Sequence, residues 1–375
     1  MPRSLLLLVL LALLVPAAPA QHTHKHTGDR AITFPDVPGY QTLVCDFHTH
    51  SVFSDGSVWP NIRVEEAVRD GLDALAITEH LEYQPHAEDI PHPDRNRAYD
   101  LAVEFAQAHD LIVIRGSEVT RSMPPGHVNA IFLKDANALL RDDVRAVFEE
   151  VRRQGGFAFW NHPNWTAQRP DGLATLTDLH RELIAEGLLK GIEVVNDVTY
   201  SDEALQIALD HGLTILGTSD IHGLIDWQYE VPEGGHRPVT LVFATERSEA
   251  GIQAALEAGR TVAWFNNLLV GREDVLQPLL EAALTVTDAT YPNDDRSVLS
   301  VTIRNTSDAA FLLDNQTDFT FHSDADVITV GPHQSQRLEV KTGRRRTSVR
   351  LVFEVLNAVT APNTHPHLVF DVTVD

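Results

Sequence analysis

The strongest constraint on this chain is an alternation, over residues 41–270, between short apolar runs and amphipathic helical patterns. Residues 144–151, for instance, carry apolar side chains at i, i+3, i+4 and i+7, and Gly155-Gly156 follows as a helix stop signal. This alternation indicates a largely parallel sheet, but periodicity alone does not decide between an open sheet and a closed barrel. The pattern predicts strands over 41–47, 72–78, 111–118, 128–133, 157–161, 191–196 and 213–218.

A different pattern begins at about residue 281. Apolar and polar residues alternate with a period of two over 299–303, 349–355 and 368–374. Such runs, separated by turn residues, are typical of antiparallel strands. We therefore expect an α/β domain over residues 41–280 and a small β-sandwich over residues 281–375, since a chain of 375 residues is long enough for two cores.

The N-terminal residues form a separate unit. Arg3 precedes an unbroken apolar run over residues 5–15, and Ala18-Pro19-Ala20 offers the small residues of a cleavage site. These features predict a signal peptide over residues 1–20, followed by a loose lead-in over residues 21–40. We expect export, to a bacterial periplasm, and no stable membrane anchor, because the apolar run is too short to span a bilayer.

Charge and cysteine content restrict the partners and the chemistry. The formal net charge is −24 at pH 7, so we expect no broad surface for nucleic acid. An anionic substrate would need a local positive charge, which bound metal ions could supply. Cys45 is the only cysteine, which excludes an intrachain disulfide, and we interpret it as a small core residue. The sequence leaves the oligomeric state open.

Potential metal ligands follow directly after the predicted strands. Since the carboxyl ends of parallel strands share one face of an α/β barrel, side chains at these positions are expected to meet at one mouth. A single histidine at a strand end would more simply be structural, but nine candidates together indicate a multinuclear metal site. The candidates are His48, His50, Asp55, His80, Glu118, His127, His162, Asp220 and His222.

The donor types narrow the choice of metal. Imidazole combined with carboxylate suits Zn, Fe or Mn better than a Ca or Mg site built from oxygen alone. His48 and His50 stand two residues apart and therefore point the same way from a strand, which lets both bind one ion. The same spacing relates Asp220 to His222. We expect two to three divalent ions.

In this order, the motifs resemble those of the PHP (polymerase and histidinol phosphatase) superfamily of metal-dependent phosphoesterases. The resemblance covers about residues 41–270 and implies a distorted seven-stranded, TIM-like β/α barrel with a trinuclear metal centre and phosphoesterase activity. It rests on His48-Thr49-His50, Ser54-Asp55-Gly56, Thr78-Glu79-His80, Glu118, His127, Asn161-His162-Pro163 and Ser219-Asp220-Ile221-His222.

The resemblance also implies how the ligands divide among three ions. Glu118 would bridge the first and second ions. Asp55 gives the third position an oxygen ligand, which favours Mn, with Zn or Fe as alternatives. Glu79 is not needed as a ligand, and we expect it to support its neighbours or form a salt bridge. The implied sets are His48, His50, Glu118 and Asp220 for the first ion, Glu118, His127 and His162 for the second, and Asp55, His80 and His222 for the third.

The implied catalytic residues are Glu118, Asp220 and His222. A hydroxide held between two metals would attack phosphorus in line, and the third ion would neutralise charge on the phosphoryl group. Arg121 and Trp227 are candidate substrate-binding residues. For Arg121 the simple alternative is a surface salt bridge. Trp165, Trp227 and Tyr229 follow ligand-bearing strand ends and could line an apolar wall, with loop packing as the alternative.

The substrate is predicted more coarsely than the metal site. Export, the segment 220–227 and the β-rich C-terminal region are similar to a secreted subgroup of PHP phosphodiesterases, whose described member, from Sphingobium, acts on haloalkyl phosphate diesters. We therefore expect a small-molecule phosphate diester. A phosphomonoester or a nucleotide stays open. A non-catalytic metal-binding module is the alternative of another class, and it is disfavoured because no expected ligand is missing.

Overall fold

The computed structural model describes residues 30–292 and 296–374, so the predicted signal peptide lies outside the described residues. The seven predicted strands are present, with ends shifted by at most two residues. The strands of the first domain are β1 (Gln41–Asp46), β2 (Ala74–Ile77), β3 (Ile112–Thr120), β4 (His127–Ile131), β5 (Phe157–Trp160), β6 (Gly191–Asn196), β7 (Thr199–Tyr200), β8 (Thr214–Thr218), β9 (Val239–Ala244), β10 (Thr261–Phe265) and β11 (Leu268–Gly271). Its helices are α1 (Pro60–Arg69), α2 (Arg97–Ala106), α3 (Val144–Gln154), α4 (Asp178–Ala185), α5 (Asp202–His211), α6 (Ile225–Gln228), α7 (Glu249–Glu257) and α8 (Glu273–Ala283).

These strands form one curled sheet, which is mixed rather than largely parallel. The neighbours β1-β2-β3 and β5-β6-β8 are parallel, but β4 is antiparallel to both β3 and β5. The reason is the length of the β3–β4 connection, residues 121–126, because parallel neighbours need a crossover of a dozen or more residues. Strands β9, β10 and β11, which the sequence did not reveal, extend the sheet antiparallel beyond β1.

The sheet curls until β8 meets β9 and β10, and these contacts close the predicted α/β barrel. Side chains make the closure. The Thr240 hydroxyl donates to the Gly217 carbonyl at 2.8 Å and lies 3.0 Å from the Gly217 amide, which donates to it. The Thr261 hydroxyl donates to the Ile215 carbonyl at 2.7 Å. Glycine is needed at position 217, since a Cβ there would stand 2.7 Å from the Cβ of Ala263.

The helices follow from the apolar stripes of the sequence. Helix α3 buries Val147, Phe148 and Val151 against the sheet, as their spacing predicted. Its N-cap Asp143 accepts a hydrogen bond from the Ala146 amide, and Gly155 ends the helix with φ of 81°. That left-handed conformation costs glycine little, so the Gly155-Gly156 stop signal is confirmed.

The C-terminal domain is a β-sandwich of two antiparallel sheets, as predicted. One sheet has the order β12 (Leu284–Thr290), β13 (Val298–Asn305) and β16 (Ser335–Lys341), and the other has the order β15 (Val327–Val330), β14 (Phe311–Asn315), β17 (Ser348–Val355) and β19 (His367–Thr373). Leu299, Val301 and Ile303 of β13 are buried between the sheets, as are Leu351 and Phe353 of β17. A short strand, β18 (Ala358–Val359), lies between β17 and β19 in the sequence.

The two domains share a junction at the edge of the barrel sheet. The short strand β18 leaves the sandwich and pairs in parallel with β11. Beside it, the Asn357 amide group donates to the carbonyls of Asn267 and Ala310 at 2.7 and 2.8 Å and accepts from the Leu312 amide at 2.9 Å. Helix α8 runs to Ala283, directly before β12. No helix within the described residues is both long and apolar enough to cross a membrane.

Candidate metal centre

All nine predicted ligands gather at one mouth of the barrel, which is formed by the carboxyl ends of the parallel strands and the amino end of the antiparallel strand β4. His48 and His50 follow β1, and Asp55 lies in the loop after them. His80 follows β2, and Glu118 lies within β3. The remaining four come from the start of β4 and from the segments after β5 and β8. Potential ligand atoms fall into three adjoining groups within the described residues, and in each group the atoms lie within 4.8 Å of one another. The groups are His48, His50 and Asp220; His80, Glu118 and His127; and His50, Asp55, His80 and His222.

The first group matches the set predicted for the first ion. Nε2 of His48 and Nε2 of His50 lie 3.0 Å apart, and each lies 3.1 Å from Oδ1 of Asp220. The Glu118 oxygens stand slightly farther away, at 3.7 Å from His48 and 3.6 Å from His50. The two imidazole nitrogens and the Asp220 oxygen can each direct a lone pair at the space between them, so together they can bind one metal ion.

The second group is centred on Glu118. Its Oε1 lies 2.9 Å from Nδ1 of His127 and 3.3 Å from Nε2 of His162, as expected for the second ion. Its Oε2 lies 2.5 Å from Nδ1 of His80, which the resemblance placed with the third ion. His80 therefore stands between two positions, because its two ring nitrogens face in different directions.

The third group surrounds Asp55. Its Oδ1 lies 3.1 Å from Nε2 of His222, and its Oδ2 lies 3.4 Å from Nε2 of His80. His50 also belongs to this neighbourhood, since its ring centroid lies 4.3 Å from that of His222 and 4.5 Å from that of His80. The structure thus brings together every residue of the three predicted sets, while the division of His50 and His80 among ions stays a prediction.

Two buried oxygens show that the cluster suits cations. Within the described residues, Oε2 of Glu118 and Oδ1 of Asp55 have no hydrogen-bond partner, although imidazole nitrogens approach both. A buried carboxylate oxygen without a donor is costly in a folded protein unless a cation compensates it. His162 and Asp220 also have positive φ, at 28° and 50°. Non-glycine residues rarely adopt this conformation, which is found more often at functional sites.

The electrostatics of the cluster also favour bound cations. Burial opposes ionisation of Glu118, but the charges of His80 and His48 hold its pKa well below the usual range. Burial opposes protonation of His80, yet the carboxylates of Glu118 and Asp55 raise its pKa to about 10. For His50, burial and the imidazoles of His80 and His222 lower the pKa to about 3. The carboxylates of Glu118 and Asp55 are therefore ionised, which suits them to bind cations.

Buried polar side chains beneath the cluster were largely missed by the sequence reasoning. Asp46 accepts from the Ser219 hydroxyl at 2.5 Å and from the Arg237 guanidinium at 3.1 Å. Asn161 donates to Oε1 of Glu118 at 2.9 Å. Glu193, a charged residue inside the apolar strand β6, accepts from Nδ1 of His48 at 2.8 Å. A carboxylate within an apolar run was the signal that could have marked Asp46 and Glu193.

Glu79 occupies a supporting position of this kind, as the sequence reasoning expected for a residue that is not a ligand. It accepts hydrogen bonds from the hydroxyls of Ser51 and Ser54, the latter at 2.5 Å. These contacts fix the loop that presents Asp55. The carboxylate is buried, and burial raises its pKa against the effect of the two hydroxyls.

The predicted substrate-binding residues have different surroundings. Nε of Arg121 lies 2.7 Å from Oε1 of Glu82, and its other nitrogens donate to the carbonyls of Asp142 and Arg141 at 3.2 and 2.6 Å. These partners favour the salt-bridge alternative over a phosphate clamp. The side chain of Trp227 is exposed.

Aromatic residues at the rim divide into buried and exposed ones. Tyr229 is buried, and its hydroxyl donates to the Ser219 carbonyl at 2.7 Å, so it packs the loop rather than lining a wall. Trp165 instead stands half-exposed beside the cluster, with its ring 5.4 Å from that of His127 and 5.2 Å from that of His162. Tyr83, also half-exposed, lies 5.7 Å from the ring of His80.

Comparisons with solved structures show the family. A two-domain protein from Bacteroides vulgatus, described as containing a predicted PHP-like metal-dependent phosphoesterase, is 42% identical to this chain, with a TM-score of 0.85. The match covers 91% of this chain and 98% of that one. The chain therefore belongs to the PHP-like metal-dependent phosphoesterases.

Other comparisons are more limited. A candidate metal-dependent phosphoesterase from Bifidobacterium adolescentis is 19% identical, covering 48% of this chain and 88% of that one, with a TM-score of 0.38. PsfC from Pseudomonas syringae is 18% identical, covering 64% and 96%, with a TM-score of 0.42. A family model for a domain of unknown function, described as Ig-like, matches residues 284–371, which form the sandwich. No curated protein matches the sequence significantly.

Proposed function

We propose that the protein is an exported, metal-dependent phosphodiesterase in which the nine predicted ligands hold two to three divalent ions. The observation that carries this proposal is the position of Glu118. A single buried carboxylate among so many imidazoles is placed to join neighbouring ion positions. The imidazoles that face its two oxygens belong to His48, His50, His80, His127 and His162.

The direction of substrate entry follows from exposure. The side chains of His48 and Glu118 are fully buried, whereas those of His222 and Asp55 are 37% and 25% exposed. The phosphoryl group would therefore arrive above Asp55 and His222, with Glu118 at the closed end. Divalent ions bound there would supply an activated water and neutralise charge on the phosphoryl group. The chain's own contribution is to orient these ions and the ester.

Two observations favour a diester over a monoester. A monoester carries more negative charge, and Arg121, the candidate guanidinium nearby, is already held by Glu82 and by backbone carbonyls. A diester also presents two organic substituents, and the half-exposed rings of Trp165 and Tyr83 beside the ligand histidines offer them apolar contact.

The metal and the location complete the proposal. Asp55 gives the most exposed position an oxygen ligand beside two imidazoles, which supports Mn, with Zn or Fe as alternatives. Export is supported by the signal-peptide pattern of residues 1–20. Expression in a bacterial host, followed by intact-mass analysis of the periplasmic fraction, should give a chain that begins at Gln21. An uncleaved chain confined to the cytoplasm would contradict export.

The deciding experiment compares bis(p-nitrophenyl) phosphate with p-nitrophenyl phosphate as substrates. The mature protein is reconstituted separately with Mn, Zn and Fe, and bound metal is counted on each sample. We expect a higher kcat/KM for the diester, with two to three ions per chain and the highest rate with Mn. A preference for the monoester would replace the diesterase proposal with a phosphatase, and full metal loading without either activity would overturn both.

A further inference from the structure

A buried carboxylate beneath the metal centre connects two of the ion positions. Glu193 lies in β6 with 1% of its surface exposed. Its Oε1 lies 2.8 Å from Nδ1 of His48 and 2.6 Å from the Thr218 hydroxyl. Its Oε2 lies 2.7 Å from the His162 amide and 2.8 Å from Nδ2 of Asn196. Each carboxylate oxygen thus accepts two hydrogen bonds, and all four donors are groups of the protein itself.

The four partners of Glu193 lie at or directly after the ends of β1, β5, β6 and β8. His48 follows β1, and His162 follows β5 at a backbone position with φ of 28°. Thr218 ends β8, two residues before Asp220, and Nδ2 of Asn196 also lies 3.3 Å from Oδ2 of Asp220. Glu193 therefore contacts one ligand side chain directly and holds the backbone of another.

The contact with His48 determines which ring nitrogen is free. A histidine that donates its Nδ1–H to a carboxylate keeps the lone pair of Nε2 for a metal ion. Nε2 of His48 is the atom that lies 3.0 Å from Nε2 of His50 and 3.1 Å from Oδ1 of Asp220. We propose that Glu193 is a positioning residue that fixes this tautomer of His48. Through its contacts with His48 and with the backbone of His162, it also keeps the first and second ion positions in a fixed arrangement. The inference rests on metal binding by the proposed centre, not on its substrate.

Only a carboxylate satisfies all the partners of Glu193. Glutamine has the same size but replaces one oxygen with an NH₂ group, which must face a donor on one side. The NH₂ group of this glutamine cannot face the His162 amide without loss of a hydrogen bond, because a backbone N–H cannot become an acceptor. On the other side, the Thr218 hydroxyl can rotate and His48 can move its proton to Nε2. That second tautomer has no Nε2 lone pair for an ion.

The test is the Glu193→Gln variant, with Glu150→Gln as a matched control. Glu150 is another buried carboxylate, but it accepts from Arg141, Arg153 and Gln154, none of which is a predicted ligand. Zinc affinity and stoichiometry are measured by equilibrium dialysis, and thermal melting of the metal-free proteins checks folding. We expect Glu193→Gln to weaken one zinc site by about 10-fold or more, and Glu150→Gln to leave zinc affinity unchanged.

A spectroscopic measurement separates positioning from general loss of stability. In ¹⁵N-histidine NMR spectra of the zinc-loaded proteins, His48 should show a protonated Nδ1 and a zinc-bound Nε2 in the wild type. In Glu193→Gln this signature should be lost for His48 and kept for His127. Unchanged zinc affinity, or an unchanged His48 signature, in a folded Glu193→Gln protein overturns the proposal.

A second variant keeps the test decisive if Glu193→Gln does not fold. Glu193→Asp keeps four acceptor sites but withdraws them by one methylene from His48. We expect a zinc affinity below that of the wild type, and wild-type affinity in Glu193→Asp would overturn the proposal. Because zinc binding is read directly, absence of diesterase activity in the wild type would contradict the proposed function without affecting this inference.

Discussion

The barrel and the sandwich both have apolar cores, but they bury different kinds of polar group. In the described part of the sandwich, residues 284–292 and 296–374, every buried polar side chain is neutral: Ser300, Asn305, Ser307, Thr342, Asn357 and Thr360. The barrel buries many ionisable side chains, and these are concentrated beneath and within the candidate metal centre. Asn305 illustrates the first kind, because its amide donates only to backbone carbonyls.

This difference distinguishes the domain that holds the candidate metal centre from the domain that does not. Burial of an ionisable group lowers stability unless a partner or an ion compensates for the lost water. In the barrel, Glu118 and Asp55 retain buried oxygens without hydrogen-bond partners among the described residues. In the sandwich, amides and hydroxyls bond to neighbouring backbone, which secures loops at little cost. We therefore expect substitutions in the first region to act on metal and activity and those in the second to act on stability.

The largest expected effect is that of Glu118→Gln. The amide would remove the negative charge that faces several imidazoles and would leave an NH₂ group at a position where ligands meet. We expect loss of at least about 100-fold in kcat for the preferred ester and a lower metal content. Metal counting and steady-state kinetics provide the measurements, with Glu150→Gln as the control. Full turnover by a correctly folded Glu118→Gln protein would show that this carboxylate joins no ions.

Asn357→Ala tests the opposite side of the comparison. It removes the side chain that contacts Asn267, Ala310 and Leu312, and it leaves buried backbone groups without partners. We expect the free energy of unfolding to fall by about 3 kcal/mol while kcat of the metal-loaded enzyme stays at the wild-type value. Urea unfolding and kinetics on the same samples measure both.

The control for Asn357→Ala is Gln316→Ala, an exposed amide of the same domain, which should change stability by less than about 0.5 kcal/mol. A folded Asn357→Ala protein with lost activity would instead place the domain junction in contact with the catalytic centre. Deletion of residues 281–375 is a harsher version of the same test. It cuts α8 before its end and removes β18 from the barrel sheet, so we expect an unstable barrel.

His180, which is not a predicted ligand, provides a pH-dependent test within the barrel. Its ring is stacked on Trp160 with centroids 4.1 Å apart, and Nε2 donates to the Pro125 carbonyl at 2.7 Å. Burial, with a minor effect of nearby arginines, lowers its pKa from 6.5 to about 4. Since the unfolded chain binds the proton more readily between these values, this contribution to stability is complete above pH 6.5 and falls as the pH drops toward 4.

For His180, we expect the wild type to lose about 2 kcal/mol of unfolding free energy between pH 7 and pH 5 from this residue alone. The metal-free His180→Gln protein should show a correspondingly shallower pH dependence in urea unfolding. Identical slopes for the two proteins would mean that His180 is protonated as easily in the folded state as in the unfolded chain.

The smallest expected effect concerns Trp165, the half-exposed aromatic residue beside two of the ligand histidines. Trp165→Ala removes an apolar ring beside His127 and His162 but no ligand. We expect kcat/KM for bis(p-nitrophenyl) phosphate to fall about 10-fold, with metal content unchanged. The matched control is Trp59→Ala, another half-exposed tryptophan, whose ring packs on Phe53 at 5.6 Å. Equal kinetic effects of the two variants would remove the argument that Trp165 contacts the ester.

The sequence predicted elements better than it predicted their pairing. Its seven apolar runs are strands, and the stop signal at Gly155-Gly156 is a helix end. These features are local, since spacing and end residues act within one element. The antiparallel direction of β4 and the additional strands β9, β10 and β11 were not apparent. Both depend on which edges of the sheet are free once it curls, which no local pattern specifies.

By itself, the sequence determined the two-domain α/β and β-sandwich organisation and the ligand candidates, because strand ends that carry His, Asp or Glu are visible as motifs. Only the tertiary structure decided which atoms face each other. It showed that Glu118 stands among imidazoles from several strands and that Arg121 is already occupied. It also showed that Glu193 supports His48 from 145 residues away. Such contacts arise from barrel closure, which joins distant strands at one mouth, and closure depends on interactions between the strands.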